Sequence, residues 1–306
     1  MRGLELRLNQ TQSIRLQIAL QNIEKLYSET TSKPVVTVAD TIPIRQEDSI
    51  LKGHGTSERE GELVATLCGV VERVNKLVYV RTLRARYKPE VGDIVIGRVL
   101  EVAQKRWKLE INYVQDAVLM LSSMNLPDGI QRRRTAVDEL NMRSVFEEND
   151  VVCAEVRNFH SDGSLQLQAR SQKYGKVGGG QLIRCPPYLV KRQKQHFHEI
   201  GEDGVDLILG CNGFVWVGEH ADAAKEDADA AKEDNEGMQA ATRHQICRIS
   251  NAVRVLSALG LTLTLDVIMN TVALSHALNL PIHQMLAPEF YVAVAEGEAE
   301  RRSRKK

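Results

Sequence analysis

The residues best suited to chemistry are Lys105, Arg106 and Lys108 around Trp107, followed further along by Arg132, Arg133 and Arg134. Ammonium and guanidinium groups neutralise phosphates, and an indole stacks on a base for roughly 1–3 kcal/mol, which is how single-stranded nucleic acid is held. Trp107 is also in phase with Leu109 and Ile111, so its ring is equally a candidate for the core. Arg132 to Arg134 could equally be a solvated loop or an anchor on a protein partner. His196-Phe197-His198-Glu199 places two imidazoles on one side of a strand, but no third ligand is evident, so no metal is expected. Gly53-His54-Gly55-Thr56 invites a phosphate reading, yet without a following Lys-Ser/Thr on a helix it reads as a structural turn. There is no Gly-Lys-Ser/Thr loop, no His-Glu-x-x-His, and no acidic pair inside an apolar strand. Those gaps argue against a nucleotide-driven or metal-dependent enzyme, and no cofactor is expected.

The elements that must position the basic cluster are strands. Trp107, Leu109 and Ile111, then Leu165, Leu167 and Ala169, alternate with polar residues, the period-two pattern of half-buried strands. Asp162-Gly163 supplies a two-residue hairpin turn. Gly97 inside the first strand permits the coiling that a small closed barrel needs. Strands are predicted near 94–102, 106–111, 116–121, 150–159 and 164–170, with a short helix in the long third connection. That order is an S1-type OB barrel.

The chain has 306 residues and equal numbers of basic and acidic side chains, 40 of each. The charges are segregated. Arg73, Lys76, Arg81, Arg84, Arg86 and Lys88 form one run without a carboxylate. Arg170, Lys173, Lys176, Arg184, Lys191, Arg192 and Lys194, with His196 and His198, form another. The compensating acid lies in Glu219 to Glu236, around a tandem Ala-Asp-Ala-Ala-Lys-Glu-Asp repeat that reads as a disordered surface loop. Such segregation fits an electrostatic footprint for nucleic acid or a plain solvated face. The five cysteines are scattered without metal spacing and read as reduced core residues. No apolar run reaches membrane-spanning length and no signal-peptide core is evident, so a soluble protein without a membrane partner is expected.

The remaining segments complete a multidomain, mainly β chain with an α+β portion. Residues 1–32 are an extension with an amphipathic helix from Gln12 to Ser28, and 33–88 are a small N-terminal β domain turning at Asn75-Lys76. The barrel occupies 89–172. An α+β module of KH size occupies 173–296, with the acidic repeat as an insertion at 218–241, and a basic tail at 297–306 could serve nuclear import. Within that module, Gly175 and Gly178 to Gly180 mark a tight passage, Gln181–Leu189, Val205–Leu209 and Phe214–Val217 read as strands, and Pro281 opens a helix.

Several motifs together resemble the ribosomal RNA-processing protein four family of exosome cap subunits. They are Arg86-Tyr87 through Glu90-Val91-Gly92-Asp93, Gln104 to Lys108, Leu121 to Pro127 with Arg132 to Arg134, Lys173 to Lys176, Leu189 to His198 and Gly210 to Phe214. The resemblance implies an N-terminal β domain, an S1 barrel and a KH domain in a non-catalytic subunit. It also implies RNase PH-like ring subunits and other cap subunits as partners, and a nuclear, nucleolar and cytoplasmic location. Lys105, Arg106, Trp107, Lys108, Arg132 to Arg134 and Lys173 are then the candidates for contact with single-stranded RNA. In the family, Gly-x-Asn-Gly replaces the RNA clamp of ordinary KH domains. Here Gly210, Asn212 and Gly213 match it, implying a loop that serves packing. A free-standing S1/KH factor in ribosome maturation or translation is the competing expectation.

Overall fold

The computed structural model describes residues 8–30, 35–43, 51–82, 86–125, 134–171, 173–200, 204–219 and 235–304. The acidic repeat, Arg132, Arg133 and the last two lysines lie outside them. Two compact units are present, one of residues 86–294 and one joining residues 8–82 to 295–304.

In the second unit, α1 (Gln10–Thr30) buries Ala19 and Ile23. β1 (Val35–Val36), β2 (Leu51–Lys52), β5 (Gly69–Val74) and β6 (Leu77–Arg81) form a sheet ordered β1-β5-β6-β2, while β3 (Thr56–Arg59) and β4 (Glu62–Ala65) form a hairpin. The predicted Asn75-Lys76 turn joins β5 to β6, with Asn75 at φ 54°. Gly53 to Thr56 is a turn against β6, where the Val80 amide donates to the His54 carbonyl at 2.9 Å. Val36, Ile42, Leu63, Ala65, Val71, Val78 and Val80 form the small core.

The first unit opens with the barrel: β7 (Ile94–Ala103), β8 (Arg106–Glu110), β9 (Ala117–Met124), β10 (Val151–Phe159) and β11 (Leu165–Ala169). β11 pairs with both β9 and β10, which closes the sheet. A Cβ on Gly97 would sit 3.0 Å from the Ile111 side chain, so the bare backbone lets the coiled strand lie against β8. Short helices α2 (Ala136–Leu140) and α3 (Met142–Val145) fill the long connection, and Phe146 and Met142 plug one end of the core.

Some boundaries differ from expectation. β9 runs three residues past the predicted end through Ser122 and Ser123, because Met124 pairs with Ala169. The β10–β11 connection is a longer loop in which only Gly163 takes a positive φ, +85°. Its Asp162 carboxylate accepts from the Ser164 amide and hydroxyl. The glycine passage contains β12 (Gly175–Val177), which adds to β10.

The KH portion is a sheet of β13 (Gly180–Arg184), β14 (Phe197–Ile200), β15 (Val205–Leu209) and β16 (Phe214–Glu219), ordered β13-β16-β15-β14. β13 ends at Arg184, earlier than expected, because Pro186 and Pro187 offer no ladder donors and start a short 3-10 turn. Helices α4 (Asn235–Leu259), α5 (Leu265–Ala277) and α6 (Pro288–Arg304) follow, and α4 buries the predicted face of Ile246, Ile249, Val253 and Leu256. Pro281 caps a 3-10 turn, and the helix expected there begins at Pro288. α6 runs through the expected boundary at 296/297. Its Arg301 and Arg302 bind the buried Glu298 at 2.7 and 2.6 Å, so these two tail cations are structural. Among the cysteines, Cys153, Cys185 and Cys211 are buried, but Cys68 is exposed in a bend, which corrects the expectation that all are core.

Candidate nucleic-acid interface

The turn between β7 and β8 presents Lys105, itself at φ 61°, with Arg106 at the start of β8. The Lys105 ammonium lies 3.1 Å from the Glu139 carboxylate of α2. Lys108 stands opposite Glu101 on β7 and donates to it at 2.7 Å. That hydrogen bond, with the charge behind it, holds the Glu101 carboxyl below the ordinary range. The Arg106 side chain is exposed and makes no hydrogen bond among the described residues, and Lys173 is exposed in the turn before β12. The basic cluster is therefore present, with two of its cations already balanced by carboxylates.

Two candidates turn inward. Trp107 is fully buried, its indole N–H donates to the Phe146 carbonyl at 3.2 Å, and its ring meets Phe146 edge-on at 5.2 Å between centroids. Its place among the RNA contacts is corrected to the barrel core, since period two puts it on the same face as Leu109 and Ile111. Arg134 spans the end of β9, donating to the Leu121 carbonyl at 3.2 Å and to that of Met124. It ties the connection down in place of reaching outward.

The Gly-x-Asn-Gly loop sits between β15 and β16 and is folded onto the barrel. Asn212 is fully buried; its amide donates to the Ile96 carbonyl at 2.7 Å and the Ile111 carbonyl at 2.9 Å. The Cys211 amide donates to the Ile94 carbonyl at 2.9 Å, and Asn112 donates to the Asn212 carbonyl at 2.8 Å. Gly213 has φ +85°, and a Cβ there would lie 2.4 Å from the Cys185 carbonyl oxygen. Only glycine meets both demands. Beside the loop, Ile96 and Cys153 of the barrel pack with Ile208, Phe214 and Trp216 of the KH sheet.

A second tie was not anticipated from the sequence. Arg192 donates to the Asp93 carboxylate at 2.8 and 3.0 Å and to the Lys88 carbonyl at 2.8 Å. Asp93 is buried and also accepts from the Tyr87 hydroxyl at 3.0 Å and the Glu90 amide at 3.0 Å. Burial, then the Asp93 charge, pushes the Tyr87 phenol up, and the same causes push the Cys211 thiol up to about 12. The signal was available: Asp93 and Arg192 both fall inside motifs quoted above, but pairing across a hundred residues has no local signature. His196 is buried, with Nδ1 2.6 Å from the Leu209 carbonyl and Nε2 accepting from the Gln193 amide at 3.3 Å. Both nitrogens are thus occupied, and among the described residues no cluster of three metal-ligating side chains exists.

Residues 86–158 match the family model described as RRP4, S1 domain, and residues 180–223 match that of a KH domain. A protein of Arabidopsis thaliana named exosome complex component RRP4 homolog is 61% identical, the match covering 100% of this chain and 99% of that one. Exosome complex component RRP4 of Bos taurus is 45% identical over 78% of this chain and 81% of its own. Its Schizosaccharomyces pombe counterpart is 43% identical over 72% and 70%.

Proposed function

Because this chain belongs to the RRP4 family of exosome components, we propose that it is a non-catalytic RNA-binding cap subunit of the 3′-to-5′ RNA exosome. It guides single-stranded RNA toward the channel and bridges RNase PH-like ring subunits and other cap subunits. Its place of action is the nucleus, including the nucleolus, and the cytoplasm.

The observation that carries this reading is the union of an S1 barrel with a KH module whose loop is consumed by packing. Asn212 has no exposed surface left to offer RNA. The barrel, with Lys105, Arg106 and Lys108 around its first turn and Lys173 in the turn before β12, is then the part left to meet RNA. Phosphate contact by Lys105 and Lys108 would exchange Glu139 and Glu101 for a polyanion, which suits a transient guide better than a tight binder. Purified full-length chain should show no nuclease activity and weak, salt-sensitive RNA affinity. Degradation that co-purifies with the chain through every step would overturn the reading.

A further inference from the structure

The end of one basic run of the sequence meets the middle of the other. Arg192, in the middle of one, donates to the carbonyl of Lys88 at the end of the other, a contact between residues 104 apart. Around this tie stand Arg86, Lys88, Lys191 and Lys194, all exposed. None of the four side chains makes a hydrogen bond or ion pair among the described residues.

Several exposed cations elsewhere in the same unit are already answered by carboxylates. Lys105 is paired with Glu139, Lys108 with Glu101, Arg143 with Glu148 and Lys176 with Asp150. At the seam, the buried Asp93 carboxylate is spent on Arg192, Tyr87 and Glu90, and the Glu90 carboxylate itself lies 3.6 Å from Arg192. The four outer cations flank that anchor in the chain, exposed and without a carboxylate partner among the described residues. A surface of clustered like charge without counter-charges is costly alone and is relieved by a polyanion.

We infer that the seam between the S1 barrel and the KH sheet carries a second phosphate track for single-stranded RNA, formed by Arg86, Lys88, Lys191 and Lys194 and braced by Arg192. This rests on the reading of the chain as an RNA-binding subunit. The track has cations and no exposed stacking ring among its residues, so it holds backbone without reading sequence. RNA leaving or approaching the first turn of the barrel would be gripped here by charge alone. The Asp93–Arg192 tie keeps residues 86–88 and 191–194 in register, so the track exists only when both modules are docked.

The test is the salt dependence of binding of a fluorescent single-stranded homopolymeric RNA to the full-length chain, against the variant carrying Lys88→Ala, Lys191→Ala and Lys194→Ala. Each phosphate contact on a single strand contributes a slope of about −0.7, so losing three should flatten the plot by about 2. The affinity lost between about 50 and 200 mM salt should shrink by roughly 20-fold. RNA bearing 4-thiouridine should crosslink to peptides containing residues 86–88 and 191–194 in the unaltered chain. An unchanged slope with no such crosslinks, while wild type still binds, overturns the track and leaves the general reading intact. No RNA binding by wild type would instead overturn that reading. Loss of assembly with partner subunits at an unchanged slope would make the patch a protein contact and also refute the proposal.

Discussion

Replacing Asn212 should loosen the joint between barrel and KH sheet by an amount that can be worked from its contacts. Its amide satisfies two buried carbonyls, those of Ile96 and Ile111, at 2.7 and 2.9 Å. Leaving a buried acceptor without its donor costs about 1–3 kcal/mol, and the Ile96 amide also turns to Asn212, donating to its side-chain oxygen at 3.4 Å. Asn212→Ala should therefore lose about 2–4 kcal/mol in urea unfolding. Asn212→Asp is the sharper variant. It keeps the shape but turns two donors into a carboxylate facing two carbonyl oxygens, so at neutral pH it should be less stable than Asn212→Ala. If Asn212→Asp matches wild type, or if Asn212→Ala loses less than about 0.5 kcal/mol, the amide is not what holds the two modules together.

Gly213→Ala combines a positive φ with a collision against the Cys185 carbonyl and should cost about 2 kcal/mol or more, whereas Gly178→Ala, with open space around it, should be near neutral in the same denaturant assay. Trp107→Phe should lower the melting temperature through the lost bond to Phe146 while leaving the salt slope of RNA binding unchanged. In the folded chain the Glu298 carboxyl sits below its ordinary value: burial would raise it, and the bonds from Arg301 and Arg302 outweigh that. A folded value below the unfolded one means the stabilisation is complete above about pH 5 and is lost as pH falls through the depressed folded value. Glu298→Gln should thus be less stable at neutral pH and lose less on acidification, measured by unfolding at pH 7 and pH 3. Arg192→Met strips the buried Asp93 of its bidentate partner; with Arg192 half open to water the expected loss is about 1–3 kcal/mol, read as a shift of the urea midpoint.

How much of this could be seen in the sequence depends on the range of each interaction. The barrel strands were legible because alternation is local: Trp107, Leu109 and Ile111 announce their face without help from the rest of the chain. The end of β9 was not, since Ser122 and Ser123 look like loop residues and are drawn into the strand by pairing with β11. Pro281 misled because a proline suits a helix start and a 3-10 cap equally well. For the site, residue type gave the basic cluster at Lys105 to Lys108, but not that Glu139 and Glu101 answer its lysines, nor that Arg134 bends back onto β9. The Asp93–Arg192 pair and the contact of Arg192 with the Lys88 carbonyl are products of docking, which no short window of sequence encodes.

The most direct trial of the central claim is the mass and composition of the particle recovered with tagged full-length chain from its own cells. The account predicts an assembly many times the mass of one chain, containing RNase PH-like proteins and losing no subunit when Lys105, Arg106 and Lys108 are changed to alanine. Recovery of the chain as a monomer, free of such proteins, would contradict it.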